Sequence, residues 1–156
     1  MQAVVLLSDL LSSARVKVPL EATTKDGLLR ELVEVLAGDR CVQDPGEVLR
    51  VVRAREAILS TGIGNGVAIP HGKSPACTEL AIAAGVSAEP VPFEALDEEP
   101  VRLVFLLVGP ESAAGAHIKA LSRISRLVRQ PELRQRLIDS RDTQEFLDAL
   151  REAEAA

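Results

Sequence analysis

The sequence predicts a mixed fold of the α/β (α+β) class, built on a mixed sheet. Three observations point there. Segments with helical periodicity interleave with short apolar runs along the whole chain. The run Val101–Val108 is almost continuously apolar, the pattern of a strand covered on both faces. The chain has 156 residues at 47% hydrophobic content, enough to bury a real core within one domain.

The elements follow in order. Ser8 to Leu11 starts a short helix, and Val16-Lys17-Val18 alternates as a short strand. Thr24 caps a helix over Lys25–Ala37, with Leu28, Leu29, Leu32, Val33 and Leu36 on its apolar positions, and Gly38 stops it. Asp44-Pro45-Gly46-Glu47 reads as a capping box opening a second helix that runs to about Leu59. Gly62, Gly64 and Gly66 then crowd a tight, non-helical loop expected to expose backbone N–H groups. Val67-Ala68-Ile69 is a short strand that ends at Pro70, Leu80–Val86 is a second, and Gly109-Pro110 stops the strong strand after Val108. A helix from about Gly115 to Arg129 aligns His117, Leu121, Ile124 and Val128 on one face. Pro131–Ile138 is a short helix, Thr143 caps a last one carrying Phe146, Leu147 and Leu150, and the final EAEAA is expected to fray.

Composition excludes several functions. A net charge of −5 disfavours duplex nucleic acid, whose affinity rests on Lys and Arg neutralising phosphates. Aromatics make up 2%, which removes the stacking platforms of single-strand binders. The arginines at 123, 126, 129, 134 and 136 read as a solvated helix face. Cys41 and Cys77 lack CxxC spacing, which argues against a zinc site or disulfide framework, and both read as core residues. No apolar run approaches a membrane span, and the N-terminus, with no basic segment and an early Asp9, does not read as a signal peptide. The expected compartment is a bacterial-type cytoplasm.

Chemistry concentrates at two histidines. His71 follows the glycine loop at a strand end, between Pro70 and Gly72, so its direction is constrained while it stays accessible. Histidine ordinarily titrates near pH 6.5, so a neutral, nucleophilic ring is available to this residue type at neutral pH. A phosphoryl group placed there needs donors around its oxygens. Arg55 offers a guanidinium fork and the loop offers amides. The glycines fit neither GxxxxGK[ST] nor GxGxxG, which counts against a nucleotide.

The segment from Arg55 to Lys73, written RExxxSTGIGxGxAIPH at its core, resembles the phosphorylation site of the type-2 IIA proteins of the phosphoenolpyruvate:sugar phosphotransferase system, most closely their nitrogen-regulatory branch. Pro92–Asp97, Pro100-Val101 and Gly115–Ser122 extend the resemblance over nearly the whole chain. It implies a mixed sheet flanked by helices, in one domain over residues 1–156 with an ordered core at about 5–152. It implies a phosphohistidine relay that uses no metal and no organic cofactor. A small histidine-phosphorylated carrier of the HPr or NPr type would donate to His71, with His117 as the second site histidine and Arg55 as the phosphate-site arginine. Ser60, Thr61 and Gly62 would support the phosphate beside them. The regulatory branch implies that phosphorylation state governs binding to partner proteins such as kinases or transporters. A free-standing fructose- or mannitol-type component, passing phosphate to a IIB protein, is the alternative. A partner is expected to dock on an apolar rim beside His71, formed by Ile63 and Val67.

Overall fold

The computed structural model describes residues 6–95 and 97–155. The expectation that the N-terminus is not a signal peptide rests partly on residues 1–5, and the resemblance partly on Leu96; both positions fall outside the described residues. Six strands form one mixed sheet: β1 (Val16–Leu20), β2 (Gly62–Gly64), β3 (Val67–Ala68), β4 (His71–Lys73), β5 (Ala81–Val91) and β6 (Val101–Gly109). Their order is β1-β5-β6-β3-β2, and β4 also pairs with β6. The helices are α1 (Leu7–Leu10), α2 (Lys25–Val35), α3 (Pro45–Ile58), α4 (Ala114–Val128), α5 (Pro131–Ile138) and α6 (Thr143–Ala155).

Pleat parity builds two cores. Ile69, Ile82, Leu103, Phe105 and Leu107 face α1, α4, α5 and α6, while Ala68, Ala83, Val104, Leu106 and Val108 face α2 and α3. Because both faces of β6 are covered, its sequence reads as an apolar run broken only by Arg102. Each fully buried Leu or Phe there contributes roughly 1.5–3 kcal/mol.

Strands β3 and β4 behave as one interrupted strand beside β6. Val67 pairs with Leu103 and His71 with Leu107, so the parallel register runs unbroken through Pro70. His71 thus shares the pleat face of Val67 and Ile69, the face that α4 covers. In α4, His117, Ala120, Ile124 and Val128 form the buried stripe. Parity on the strand and periodicity on the helix together turn the two histidines towards one another.

Several expectations need correction. The glycine loop is largely a hairpin: β2 and β3 pair antiparallel across Asn65-Gly66, with φ of 58° and 80°. That dipeptide suits a two-residue turn whose central residues both take positive φ. His71 follows the end of β3, as expected, but it also opens a further strand, β4, that the sequence did not suggest. Ala120, not the half-buried Leu121, completes the buried stripe of α4. Glu47 donates its amide to Asp44, but its carboxylate pairs with Arg50, so the capping box is only half formed. Asp142 caps α6 by accepting from the Glu145 amide, while Thr143 is already helical and donates its hydroxyl to the Val16 carbonyl.

Residues 152–155, expected to fray, form the last turn of α6. Helix α6 continues to Ala155, and the buried Glu154 carboxylate accepts from the Leu7 and Ser8 amides and from Arg123. The arginine-rich stretch is likewise not only a solvated face. Arg123 holds Glu154, Arg136 pairs with Glu152 and Arg134 donates to the Val128 carbonyl.

Candidate functional site

Helix α3 packs on the opposite side of β4. A Cβ on Gly72 would lie 2.9 Å from Val51 Cγ1 and 3.3 Å from Val52 Cγ2, so only glycine lets the helix approach this closely. Arg55 lies one turn beyond Val51 on the same side of α3. Its guanidinium donates to the Leu59 carbonyl at 2.9 Å, a bond that holds the helix end and the chain entering Ser60.

The two histidine rings meet edge to face, with centroids 5.5 Å apart. His71 is half-buried, and its Nδ1 lies 2.9 Å from the Ile69 carbonyl. A carbonyl can only accept, so Nδ1 carries the proton and Nε2 keeps its lone pair. The local β3-to-β4 turn therefore selects the tautomer with a nucleophilic Nε2.

His117 sits in a different environment. It is 5% exposed, and its Nδ1 has no hydrogen-bond partner. Burial, then charge on His71 and on Lys73, hold its pKa below the ordinary histidine value. A neutral imidazole brings one N–H donor and one acceptor to the site without adding a repelling charge beside Lys73.

The loop before His71 is not the open amide cradle expected from its glycines. The Thr61 amide donates to Glu56, the Gly62 amide to the Ser60 hydroxyl, and the Asn65 amide to Asp97. Ser60 in turn donates to the Phe93 carbonyl at 3.0 Å. The loop is thus tied to the segment before β6, and three of its amides are already committed. Ser60, Thr61 and Gly62 hold the loop's shape, and none of these hydrogen bonds leads to the His71 ring.

Sequence reasoning missed Glu56, Lys25 and Lys73. Glu56 is 6% exposed, receives the Thr61 amide and hydroxyl, and pairs with Lys25 Nζ at 2.8 Å. Its only signal was its place beside Arg55 inside the motif. Lys73 ends β4 two residues past His71, and its charge acts on His117.

The apolar rim is also differently composed. Val67 is 1% exposed and belongs to the core. Ile63 remains exposed at 43%, and Ile58 (81%), Leu59 (58%) and Ile118 (64%) are exposed too. Ile58 and Leu59 lead from α3 into the loop, and Ile118 follows His117 directly.

Among known proteins, residues 9–153 match the family described as "Phosphoenolpyruvate-dependent sugar phosphotransferase system, EIIA 2". The chain belongs to this family. The nitrogen regulatory protein of Bradyrhizobium diazoefficiens is 37% identical over 144 residues, covering 92% of this chain and 94% of that protein. The fructose-specific EIIABC component of Bacillus subtilis is 34% identical over 144 residues, covering 92% of this chain. The aligned part is only 23% of that longer protein. The crystal structure of nitrogen regulatory protein IIA-Ntr from Neisseria meningitidis superposes with a TM-score of 0.85 at 31% identity, covering 92% of this chain and 98% of that one. The type-2 EIIA fold is therefore shared with a nitrogen-regulatory member. Among the described residues no group of His, Cys, Asp and Glu is arranged to hold a metal ion, and no helix is long and apolar enough to cross a membrane.

Proposed function

We propose that this EIIA protein is a phosphoryl carrier with a regulatory task, working in the cytoplasm, and that His71 is its acceptor. The observation that carries the reading is the bond from His71 Nδ1 to the Ile69 carbonyl, which leaves Nε2 as the free nucleophile. A histidine-phosphorylated carrier of the HPr or NPr type docks over Ile58, Leu59, Ile63 and Ile118. Nε2 attacks the phosphorus, the new N–P bond forms as the donor's N–P bond breaks, and the donor imidazole leaves neutral. Catalysis is then a matter of positioning and charge stabilisation. His117, unpartnered at Nδ1, offers its ring to the phosphoryl oxygens, and Arg55 and Lys73 supply positive charge.

The nitrogen-regulatory relatives support an output to proteins. Phosphorylation puts about two negative charges among exposed apolar side chains, and unpaired charge is costly to bury in an interface. A partner that covers the rim therefore binds one phosphorylation state much more weakly. The identity to the fructose-specific EIIABC component favours a second reading, in which the same phosphohistidine feeds a IIB protein and sugar uptake.

The test is a pull-down with wild-type protein, His71→Ala and His71→Asp, run beside a transfer assay to IIB proteins. Different partner sets for the three proteins support regulation. Identical sets, or rapid transfer to a sugar-specific IIB protein, move the assignment to transport.

A further inference from the structure

The arginines at 123, 126, 129, 134 and 136 divide into two groups. Arg123 pairs with Glu154, Arg136 with Glu152, and Arg134 donates to the Val128 carbonyl. Arg126 and Arg129 are exposed and, among the described residues, have neither an ion pair nor a side-chain hydrogen bond. In a chain of net charge −5, two neighbouring cations on α4 are thus left without an acid. Arg129 also lines a half-open groove of about 280 Å³ between the β2–β3 hairpin and the C-terminal half of α4. The buried side chains of Val67 and Val128 form its floor. Ile63 and Asn65 stand on the hairpin side, Ser125 and Arg129 on the helix side, and no Asp or Glu lines it. Asp97, the acid held to the hairpin, is taken up by the amides of Asn65 and Glu99. Ile118, Ser125 and Arg129 follow one another at helical spacing along one side of α4. The groove is therefore continuous with the exposed apolar rim and shares Ile63 with it.

We propose that this groove is a specificity site for the proteins that the chain regulates. A partner seats an apolar side chain on the Val67–Val128 floor and an aspartate or glutamate against Arg129 and Arg126. The inference rests on the regulatory reading and names the chemistry of its partner.

Size and charge favour a protein segment. Pockets that enclose a small molecule start at about 300 Å³ and bury most of the ligand. A groove of this volume with an open side takes one or two side chains, as interface anchors do when they fill shallow pockets. A carboxylate on the partner matches cations that have no acid of their own, and such complementarity selects partners and speeds encounter. Nucleic acid fits worse, because its affinity needs many neutralised phosphates and the chain as a whole is acidic. The site also stands apart from the phosphoryl chemistry: Arg129, the C-cap of α4, is about 18 Å along the helix axis from His117. The groove then governs which protein binds, and the state of His71 governs when.

Amide NMR titrations with the capped tripeptides Glu-Leu-Glu, Gln-Leu-Gln, Lys-Leu-Lys and Glu-Gly-Glu test this on wild type, Arg129→Gln and Ser125→Leu. Glu-Leu-Glu is expected to shift the amides of Ile63, Asn65, Ser125 and Arg129 saturably, with a dissociation constant about threefold below that of Gln-Leu-Gln, the scale of one exposed ion pair. Lys-Leu-Lys and Glu-Gly-Glu should give no saturable shift there. Arg129→Gln should erase the preference for Glu-Leu-Glu over Gln-Leu-Gln, and Ser125→Leu, which fills the groove, should abolish both. No saturable shift at these amides, or equal binding of Lys-Leu-Lys or Glu-Gly-Glu, would overturn the proposal. A single-stranded oligonucleotide that occupies the same amides more tightly than Glu-Leu-Glu would overturn it in favour of nucleic acid. Labelling of His71 by a phosphorylated HPr-type carrier should run at the wild-type rate in Arg129→Gln, while the proteins that wild type retains in the pull-down are lost. Slower labelling would give the groove to the carrier, and an unchanged partner set would remove its role in regulation; either result overturns the assignment. Should transfer to a IIB protein move the chain to transport, the regulatory reading falls, and the tripeptide titration still judges the groove by itself.

Discussion

Two buried glutamates do the same local work in two regions. Glu56, near the end of α3, binds Lys25 at 2.8 Å and the Thr61 amide and hydroxyl. Glu154, in the last helix, binds Arg123 at 2.7 Å and the amides of Leu7 and Ser8, each at 2.8 Å. Each carboxylate leaves water only because a cation and backbone donors replace it. The difference lies in what each clamp holds. Glu56 fixes the entry of the loop that precedes the strand carrying His71. Glu154 fastens the start of the described chain to its end and steadies α4 from its far side. One type of buried clamp thus shapes a loop near the candidate site in one place and joins distant parts of the chain in the other.

The largest effect fixes the reference point. His71→Ala should abolish an acid-labile, base-stable phosphoryl label from a phosphorylated carrier, with the amide NMR spectrum otherwise preserved. Label surviving on that variant removes the distinction between a near and a far clamp. Next, Arg55→Ala should slow labelling by about a hundredfold without unfolding the protein, the scale for losing one donor to developing charge. A rate unchanged by that substitution reduces Arg55 to a cap on α3, the role its bond to the Leu59 carbonyl already shows.

Glu154→Gln sharpens the contrast from the other side. It should lower stability by about 2 kcal/mol and the melting midpoint by about 4–8 °C, while labelling of the folded protein stays at the wild-type rate. A slowed rate would mean that the far clamp reaches the site through α4. The smallest effect is in pH. Burial pushes the Glu154 carboxyl up, but hydrogen bonds from Arg123, Ser8 and Leu7 outweigh it and leave its pKa below the ordinary 4.5. A carboxyl depressed in the folded state contributes stability above its unfolded pKa and loses it as the pH falls through the folded one. Denaturation midpoints should therefore decline less steeply below pH 4.5 in Glu154→Gln than in wild type.

The same two regions show how much the sequence disclosed. Helix periodicity and the apolar run of β6 made the α/β class legible, and the motif from Arg55 to His71 marked the proposed acceptor segment. Its counterpart His117 was legible from the spacing of α4, although Leu121 was read in place of Ala120 because size drew more weight than angular position. The β2–β3 hairpin was hidden because three glycines suggested an open loop, while Asn65-Gly66 already specified a tight turn. Strand β4 has no apolar pattern to read, since His71-Gly72-Lys73 is placed by pairing with β6. The loop's closure by Asp97, and the docking of α6 through Glu154, depend on partners 32 and 146–147 residues away in sequence. No local window contains such information. Val67 was placed on the rim for a related reason: a short strand gives no sign of which face is covered until its neighbour is known.

The nitrogen that receives the phosphoryl group decides whether His71 is the acceptor. Phosphorus and ring-nitrogen NMR of the protein, phosphorylated by its carrier, reads this directly. A single phosphohistidine at His71, bonded through Nε2 with Nδ1 still protonated against the Ile69 carbonyl, is the predicted result. A phosphoryl group on Nδ1 of His71, or on His117, would contradict it.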